Sequence, residues 1–444
     1  MASVKITVIG GGSYMWGPKI IGDMMMKKDE LSGSQIMLHD LNSEALDLMY
    51  KLTQKMVDRG KADFKIERTT DLSTALSGAD YVLLAISTGG LEAMRHDLEI
   101  PLRYGIYQSV GDTVGPGGLS RALRNIPVVV DICKKMESLC PEAWMLNYTN
   151  PMTTLCRAIN RTTKIKTIGL CRDALSVLDS LKPVFGVRKI SDLQVRVAGI
   201  NHFAWILELK IKGEDGTPLL KNYVKTQDLY IKLKEMDWSD MDPFSDNNIV
   251  QFEVFKVFGY LPASLDRHLV EFFPHFLTKE TEKGKKYGVK LTTIEHRLAK
   301  QEIYRRRIEN MIAGRESIEI KRSGEKGIDI ISAIANQKEE ICIMNLPNKG
   351  QVSNLPEDAV LESFGIANAN GAHGISVGYV PDGILSALYK HIINQELIVE
   401  AGLTGNRKLA LQALMNDPLV TKWDDTEKML DELLQANARY LPQF

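Results

Sequence analysis

The sequence predicts an α/β protein: an N-terminal, doubly wound parallel sheet over residues 1–192, followed by a mostly helical α+β domain over residues 193–444. Three observations lead there. The chain opens on a β-branched run, VKITVIG, that breaks into the consecutive glycines Gly10, Gly11 and Gly12. Strand-like and helix-length segments then alternate through the first half, the rhythm of βαβ units. After about Asp192 that rhythm stops.

The strand-like runs are Lys5–Gly10, Gln35–Asp40, Phe64–Arg68, Tyr81–Ile86, Ala143–Asn147 and Lys166–Leu170. Most are near-continuously apolar, as parallel strands covered on both faces must be. Ser43–Arg59 and Gly118–Ser138 have helical length and fall between them. Past the boundary, Leu193–Ala198 and Phe203–Ile211 alternate as antiparallel strands around a GINH corner. Leu291–Ile312 reads as a long amphipathic helix, and helical periodicity returns from Gly383 to Leu434. The second half is expected to cap the crevice of the first.

A strand that runs straight into glycines suits a dinucleotide pyrophosphate. The glycines permit a tight turn and close backbone approach, and the next helix offers unpaired N–H groups and a positive dipole end. Gly10, Gly11, Gly12 and Ser13 are the candidate phosphate-binding residues, although the third glycine position of the fingerprint is Met15. Asp40 closes the second strand at the distance expected of a carboxylate that grips the adenosine ribose. Ligands of such a Rossmann-like sheet sit beyond the carboxyl ends of its strands. Thr88 and Gly89, in the turn Thr88–Gly90, fall at such an end, as do NYTNP (Asn147–Pro151) and Cys171–Asp173.

The 444 residues exceed a single ordinary core, and 44% hydrophobic with 25% charged residues is a globular balance. A net charge of −1 gives no reason to expect nucleic acid or an anionic membrane as partner. No apolar stretch approaches the roughly 20 residues of a spanning helix, and the N-terminus has no secretory pattern. The five cysteines are scattered and odd in number, which reads as free thiols in a reducing, cytoplasmic setting.

Four polar or glycine-rich clusters stand out: GDTVGPGG (Gly111–Gly118), NYTNP, GLCRD around Cys171, and GINHFAW around His202. Cys171 and His202, from separate elements, are candidate metal ligands, with water and substrate oxygens completing the shell. On spacing alone the default is a small buried hydrophobe and a loop histidine, with a nucleophilic pair as the lesser alternative. Asp112, Asn147 and Asn150 have the chemistry of proton transfer and hydroxyl binding, or of turns and helix caps.

GGGS, GDTVGPGG, LNYTNPM, the strand-end cysteine of GLCRD and GINHFAW, in that order, resemble glycoside hydrolase family 4. PASLDRHLVEFFP (Pro262–Pro274), NKGQVSNLP (Asn348–Pro356) and NDPLV (Asn416–Val420) extend the likeness over nearly the whole chain. YGIYQSVGDTVGPGG and DRHLVEFFP look closest to its α-galacturonidase branch. The resemblance implies NAD, a Mn²⁺ or similar cation on Cys171 and His202, and homodimers or homotetramers. It implies redox-neutral cleavage: oxidation at sugar C3, deprotonation at C2, elimination at C1, water addition and re-reduction. NAD-dependent members of this family stand outside the usual two-carboxylate scheme.

By the same match, Asn147 or Asn150 would hold sugar hydroxyls, and Asp266 would be the proton-abstracting base with His268 as competitor. Asp112 would be the acid for the leaving oxygen or would orient water. Arg172 replaces the histidine that follows the cysteine in much of the family's non-phosphorylated α-branch. It suits bidentate recognition of a substrate anion, or else a structural pair with a nearby carboxylate. Arg95 stands near where the 6-phospho-glycosidase branch binds phosphate, which keeps that substrate class open. The first half also resembles hydroxy-acid dehydrogenases of the lactate/malate type.

Overall fold

A computed structural model describes residues 2–444. Its strands are β1 (Lys5–Ile9), β2 (Gln35–His39), β3 (Lys65–Thr69), β4 (Tyr81–Leu84), β5 (Trp144–Asn147), β6 (Lys166–Gly169), β7 (Leu193–Ile200), β8 (Phe203–Ile211), β9 (Glu214–Asp215), β10 (Leu261–Pro262), β11 (Glu340–Pro347), β12 (Val360–Asn368) and β13 (Gly371–Gly374). One sheet holds them in the order β10-β8-β7-β12-β11-β6-β5-β4-β1-β2-β3, with β9 on β8 and β13 on β12.

From β6 to β3 every pairing is parallel. Alternation along the strands explains the apolar runs. Ile6, Val8 and Leu83 join a core beneath the helices Gly17–Met26 and Ser43–Gly60. Ile9, Val82 and Leu84 join another that meets the helix Gly115–Leu139. The strand order reverses between β1 and β4, the switch point at which ligands of doubly wound sheets bind.

The second half differs from expectation in one respect: its strands do not form a sheet of their own. β11 pairs antiparallel with β6 at Asn345↔Gly169, and β12 pairs with β7 at Glu362↔Gly199. The open edge of β6 would otherwise leave a row of unpaired backbone groups, and the later strands cover it. The sheet therefore runs unbroken across residue 192. Helices Asp382–Thr404, Arg407–Asn416 and Trp423–Ala436 account for the C-terminal helical periodicity. Among the described residues no helix is long and apolar enough to cross a membrane.

Candidate active site

The glycine turn is built as a cradle. The N–H groups of Gly10 and Gly11 donate to the His39 carbonyl at 2.9 and 2.8 Å. Gly10 has φ 90°, and a Cβ there would lie 2.2 Å from the Ala85 carbonyl oxygen. Asp40 faces this turn, accepting from the Gly12 N–H at 3.0 Å and from Asn42 N–H at 2.9 Å. Ser13 Oγ accepts from the Trp16 N–H at 3.2 Å and opens the helix. Met15, at the expected third glycine, is 45% exposed. Close helix packing is served instead by Gly17, where a Cβ would meet the Met49 methyl at 2.5 Å. Thr88 N–H donates to Asn125 Oδ1 at 3.0 Å, and Gly89, at φ 83°, starts the helix Gly90–Arg103.

A second constellation gathers residues from both halves. Cys171 lies just past β6, and His202 sits at the β7–β8 corner with φ 63°, a left-handed conformation that is costly for a side chain and clusters at functional sites. Cys171 Sγ and His202 Nε2 are 3.4 Å apart. Thr113 fixes the imidazole: its hydroxyl donates to Asp112 Oδ1 at 2.8 Å, so at 2.9 Å it accepts from His202 Nδ1. That leaves the Nε2 lone pair pointing toward the thiol, the tautomer a metal ligand needs. Asn150 Nδ2 donates to Asp112 Oδ2 at 3.3 Å, while Asn150 Oδ1 is buried without a partner.

His268 stacks on His202, ring centroids 3.7 Å apart. Asp112, His202 and His268 each bring a potential donor atom within 4.8 Å of the others. Yet His268 Nε2 accepts from Arg267 Nε at 3.2 Å. The neutral ring therefore carries its proton on Nδ1, which is buried and unpartnered. In this arrangement His268 presents an N–H donor to the cluster, with its Nε2 lone pair engaged by Arg267.

Electrostatics follow from the same packing. Burial alone would raise the Asp112 carboxyl, but Arg121, His202 and Arg297 together hold it below the ordinary carboxylate value. Burial lowers His202, and Asp173 and Asp112 only partly oppose it. Burial, reinforced by His202, pushes His268 well below the usual imidazole value. Burial, with Asp173 and Glu362 nearby, pushes the Cys171 thiol well above its usual value. A cation is what would hold it as thiolate. A thiolate, an imidazole and a neighbouring carboxylate suit a divalent transition metal, and 3.4 Å is the separation two donors have on one ion at bond lengths of about 2.1–2.3 Å.

Several expected residues are placed elsewhere. Both Asp266 oxygens accept backbone N–H groups, from Val250 at 3.1 Å and Gln251 at 3.0 Å, so it caps the helix Ile249–Phe258 and is not brought to the cluster. Asn147 is fully buried and spent on its own turn, Oδ1 accepting from the Thr149 N–H at 2.9 Å and Nδ2 donating to the Thr149 carbonyl at 3.1 Å. Arg95 pairs with Glu99 at 2.7 Å and Glu295 at 2.8 Å on the surface. The Arg172 guanidinium lies over Gly324, where a Cβ would come within 2.8 Å of Nε, and pairs with Asp179 at 3.6 Å.

Two features escaped sequence reasoning. Thr113 was legible only as the neighbour of Asp112 in GDTVG. Glu362, buried behind Cys171 and receiving Asn201 Nδ2 at 2.9 Å and Asn345 Nδ2 at 3.0 Å, gave no local signal.

Comparison with known proteins identifies the lineage. Residues 5–187 match the model of Family 4 glycosyl hydrolase, and residues 197–420 that of the Family 4 glycosyl hydrolase C-terminal domain. An alpha-galacturonidase of Thermoanaerobacter italicus is 34% identical over 99% of this chain and 97% of its own. The crystal structure of lplD from Bacillus subtilis superposes with a TM-score of 0.90 at 34% identity, covering 98% of this chain and 100% of that one. A 6-phospho-beta glucosidase of Thermotoga maritima, solved with manganese, NAD⁺ and glucose-6-phosphate, gives 0.80 at 25% identity, covering 98% and 99%.

Proposed function

The chain belongs to family 4 of the glycosyl hydrolases, and from that premise we propose that it is an NAD⁺- and divalent-metal-dependent glycosidase of small α-linked anionic glycosides, α-galacturonides foremost. The observation that carries this is the Cys171–His202 pair, 3.4 Å apart, with the histidine tautomer set by Thr113 and Asp112. The substrate class is supported by the likeness to alpha-galacturonidase along the full chain. The residue that kept a phospho-sugar reading open, Arg95, is engaged by two surface glutamates.

Gly10–Gly12 and the N-terminus of the helix Gly17–Met26 hold the pyrophosphate, and Asp40 takes the ribose hydroxyls. Cys171 and His202 hold the cation. When bound, the dinucleotide supplies reversible oxidation at sugar C3, and the cation stabilises negative charge on the C2 and C3 oxygens. Asn150 Oδ1 accepts a sugar hydroxyl, and His268 Nδ1–H donates to a sugar oxygen; both are buried and otherwise unpartnered. Asp112, ionised at neutral pH, orients water; its lowered pKa does not suit proton donation to a leaving group.

The test is turnover of a nitrophenyl α-galacturonide with NAD⁺, Mn²⁺ and reductant. Nitrophenol should appear without net NADH, and deuterium at sugar C2 should exchange into solvent. Full retention of that label, or undiminished cleavage by enzyme stripped of dinucleotide, would refute the reading. Accumulating NADH from hydroxy acids would point instead to a dehydrogenase.

A further inference from the structure

Three arginines stand in the walls of the cluster: Arg121, Arg267 and Arg297. Arg121 and Arg297 lie near Asp112, and Arg267 lies near Asp173 and Asp246. A further acid, Glu271, is buried against the loop before Asp112, its Oε1 accepting the Val110 and Gly111 N–H groups at 2.8 Å. Burial raises it to about 8, which makes it neutral at pH 7.

The three arginines are not equivalent. Arg267 has Asp173 at 4.0 Å, the Phe244 carbonyl at 2.9 Å and His268 at 3.2 Å. Among the described residues neither Arg121 nor Arg297 has a carboxylate within 4.0 Å. Arg121 spends its Nε on the Asn150 carbonyl at 3.1 Å. Arg297 donates only through Nη2, to the Val110 carbonyl at 3.2 Å, and its Nε is buried with no partner. Its guanidinium lies 5.7 Å from the centre of the Phe244 ring, which Arg267 approaches to 5.5 Å. An aromatic ring and a backbone carbonyl thus hold a charged fork whose remaining donors are unclaimed. Leaving such a group buried is costly unless an anion completes it.

We propose that Arg297, and neither Arg172 nor Arg95, recognises the carboxylate of the sugar, with Phe244 and Arg267 forming the wall that fixes its plane. This assignment rests on the anionic-glycoside reading above. The guanidinium fork matches a planar carboxylate through two parallel hydrogen bonds, whereas a neutral hydroxymethyl group would leave the charge uncompensated. The arginine would therefore contribute discrimination between acid and neutral sugar as well as affinity.

The test compares kcat/KM on nitrophenyl α-galacturonide, nitrophenyl α-galactoside and nitrophenyl 6-phospho-α-glucoside for the parent, Arg297→Gln and Arg297→Lys, all with NAD⁺ and Mn²⁺. Calorimetric binding of D-galacturonate and D-galactose gives a readout independent of turnover, and thermal melting confirms folding. Arg297→Gln should lose about 100-fold more on the galacturonide than on the galactoside, with D-galacturonate binding weakened far more than D-galactose binding. Arg297→Lys, which keeps the charge without the fork, should fall between and serves if the glutamine variant does not fold. Equal losses on acid and neutral substrates would overturn the assignment while leaving the glycosidase reading intact. A parent that cleaves the phospho-sugar and no galacturonide would overturn the substrate reading, and this proposal with it.

Discussion

Replacing Thr113 by valine tests whether the histidine tautomer controls metal binding. The two side chains are nearly the same shape, so what is removed is the hydroxyl that donates to Asp112 at 2.8 Å and accepts from His202 at 2.9 Å. His202 is 2% exposed, so water cannot replace the lost partner. Leaving a buried N–H unpaired costs about 1–3 kcal/mol. The free imidazole also becomes able to place its proton on Nε2, where the metal would bind. Outer-shell losses of this kind typically weaken metal affinity about 10–100-fold. Calorimetric titration of Mn²⁺ into NAD⁺-saturated protein under reductant should show that weakening in Thr113→Val, with NAD⁺ affinity unchanged. Thr113→Ser retains the hydroxyl and should bind as the parent does. If Thr113→Val binds Mn²⁺ within about threefold of the parent while His202→Ala loses it, the Asp112–Thr113–His202 relay does not set the ligand and the reasoning fails.

Three further outcomes follow from the packing. Gly10→Ala places a Cβ 2.2 Å from the Ala85 carbonyl at φ 90°, where the backbone conformation alone costs about 1–3 kcal/mol. NAD⁺ binding, followed by fluorescence titration, should be lost, and near-parental affinity would contradict the cradle. Glu271 is raised from 4.5 to about 8 by burial, so the folded chain keeps a proton that the unfolded chain releases. Its contribution is full below pH 4.5 and falls as pH rises toward 8; Glu271→Gln should flatten that part of the stability profile in urea and gain stability at pH 8 relative to the parent. Asp97 and Arg124 form a fully buried fork at 2.7 and 2.6 Å. Asp97→Asn should cost about 3–5 kcal/mol by denaturant unfolding, and it should loosen the Thr88 turn that Arg124 Nε holds at 3.3 Å.

How much could be read beforehand depends on how far apart the interacting residues lie in the chain. β1, β2, β5 and β6 declare themselves because each is a buried run ended by glycine, asparagine or aspartate, and β4 because it is an unbroken apolar run before the Thr88–Gly90 turn, purely local signals. β11 and β12 do not. Their place is decided by β6 and β7, more than 140 positions away in sequence, through the pairs Asn345↔Gly169 and Glu362↔Gly199. The site divides the same way. Cys171 and His202 were legible as residue types at the ends of strands, and the structure brings them together. The roles of Asp266 and Asn147 depended on which backbone groups their side chains meet, and those are helix and turn N–H groups that no motif reveals.

That long-range closure is also what sets the distance between the two sulfur and nitrogen donors. Cys171 follows the end of β6, whose Gly169 pairs with Asn345 of β11. His202 follows Asn201 at the β7–β8 corner. Glu362 of β12 accepts from both Asn345 and Asn201, so one buried carboxyl ties the strand behind the thiol to the corner that carries the imidazole. Burial raises Glu362 to about 7, an unfavourable setting for the charged form that the two amide donors only partly offset. A hydrophobic residue there would avoid that cost, but it could not link the two asparagines. The sheet that crosses residue 192 is thus the device that holds a first-half cysteine and a second-half histidine 3.4 Å apart, and a cap domain merely resting on a complete nucleotide fold would not impose that spacing.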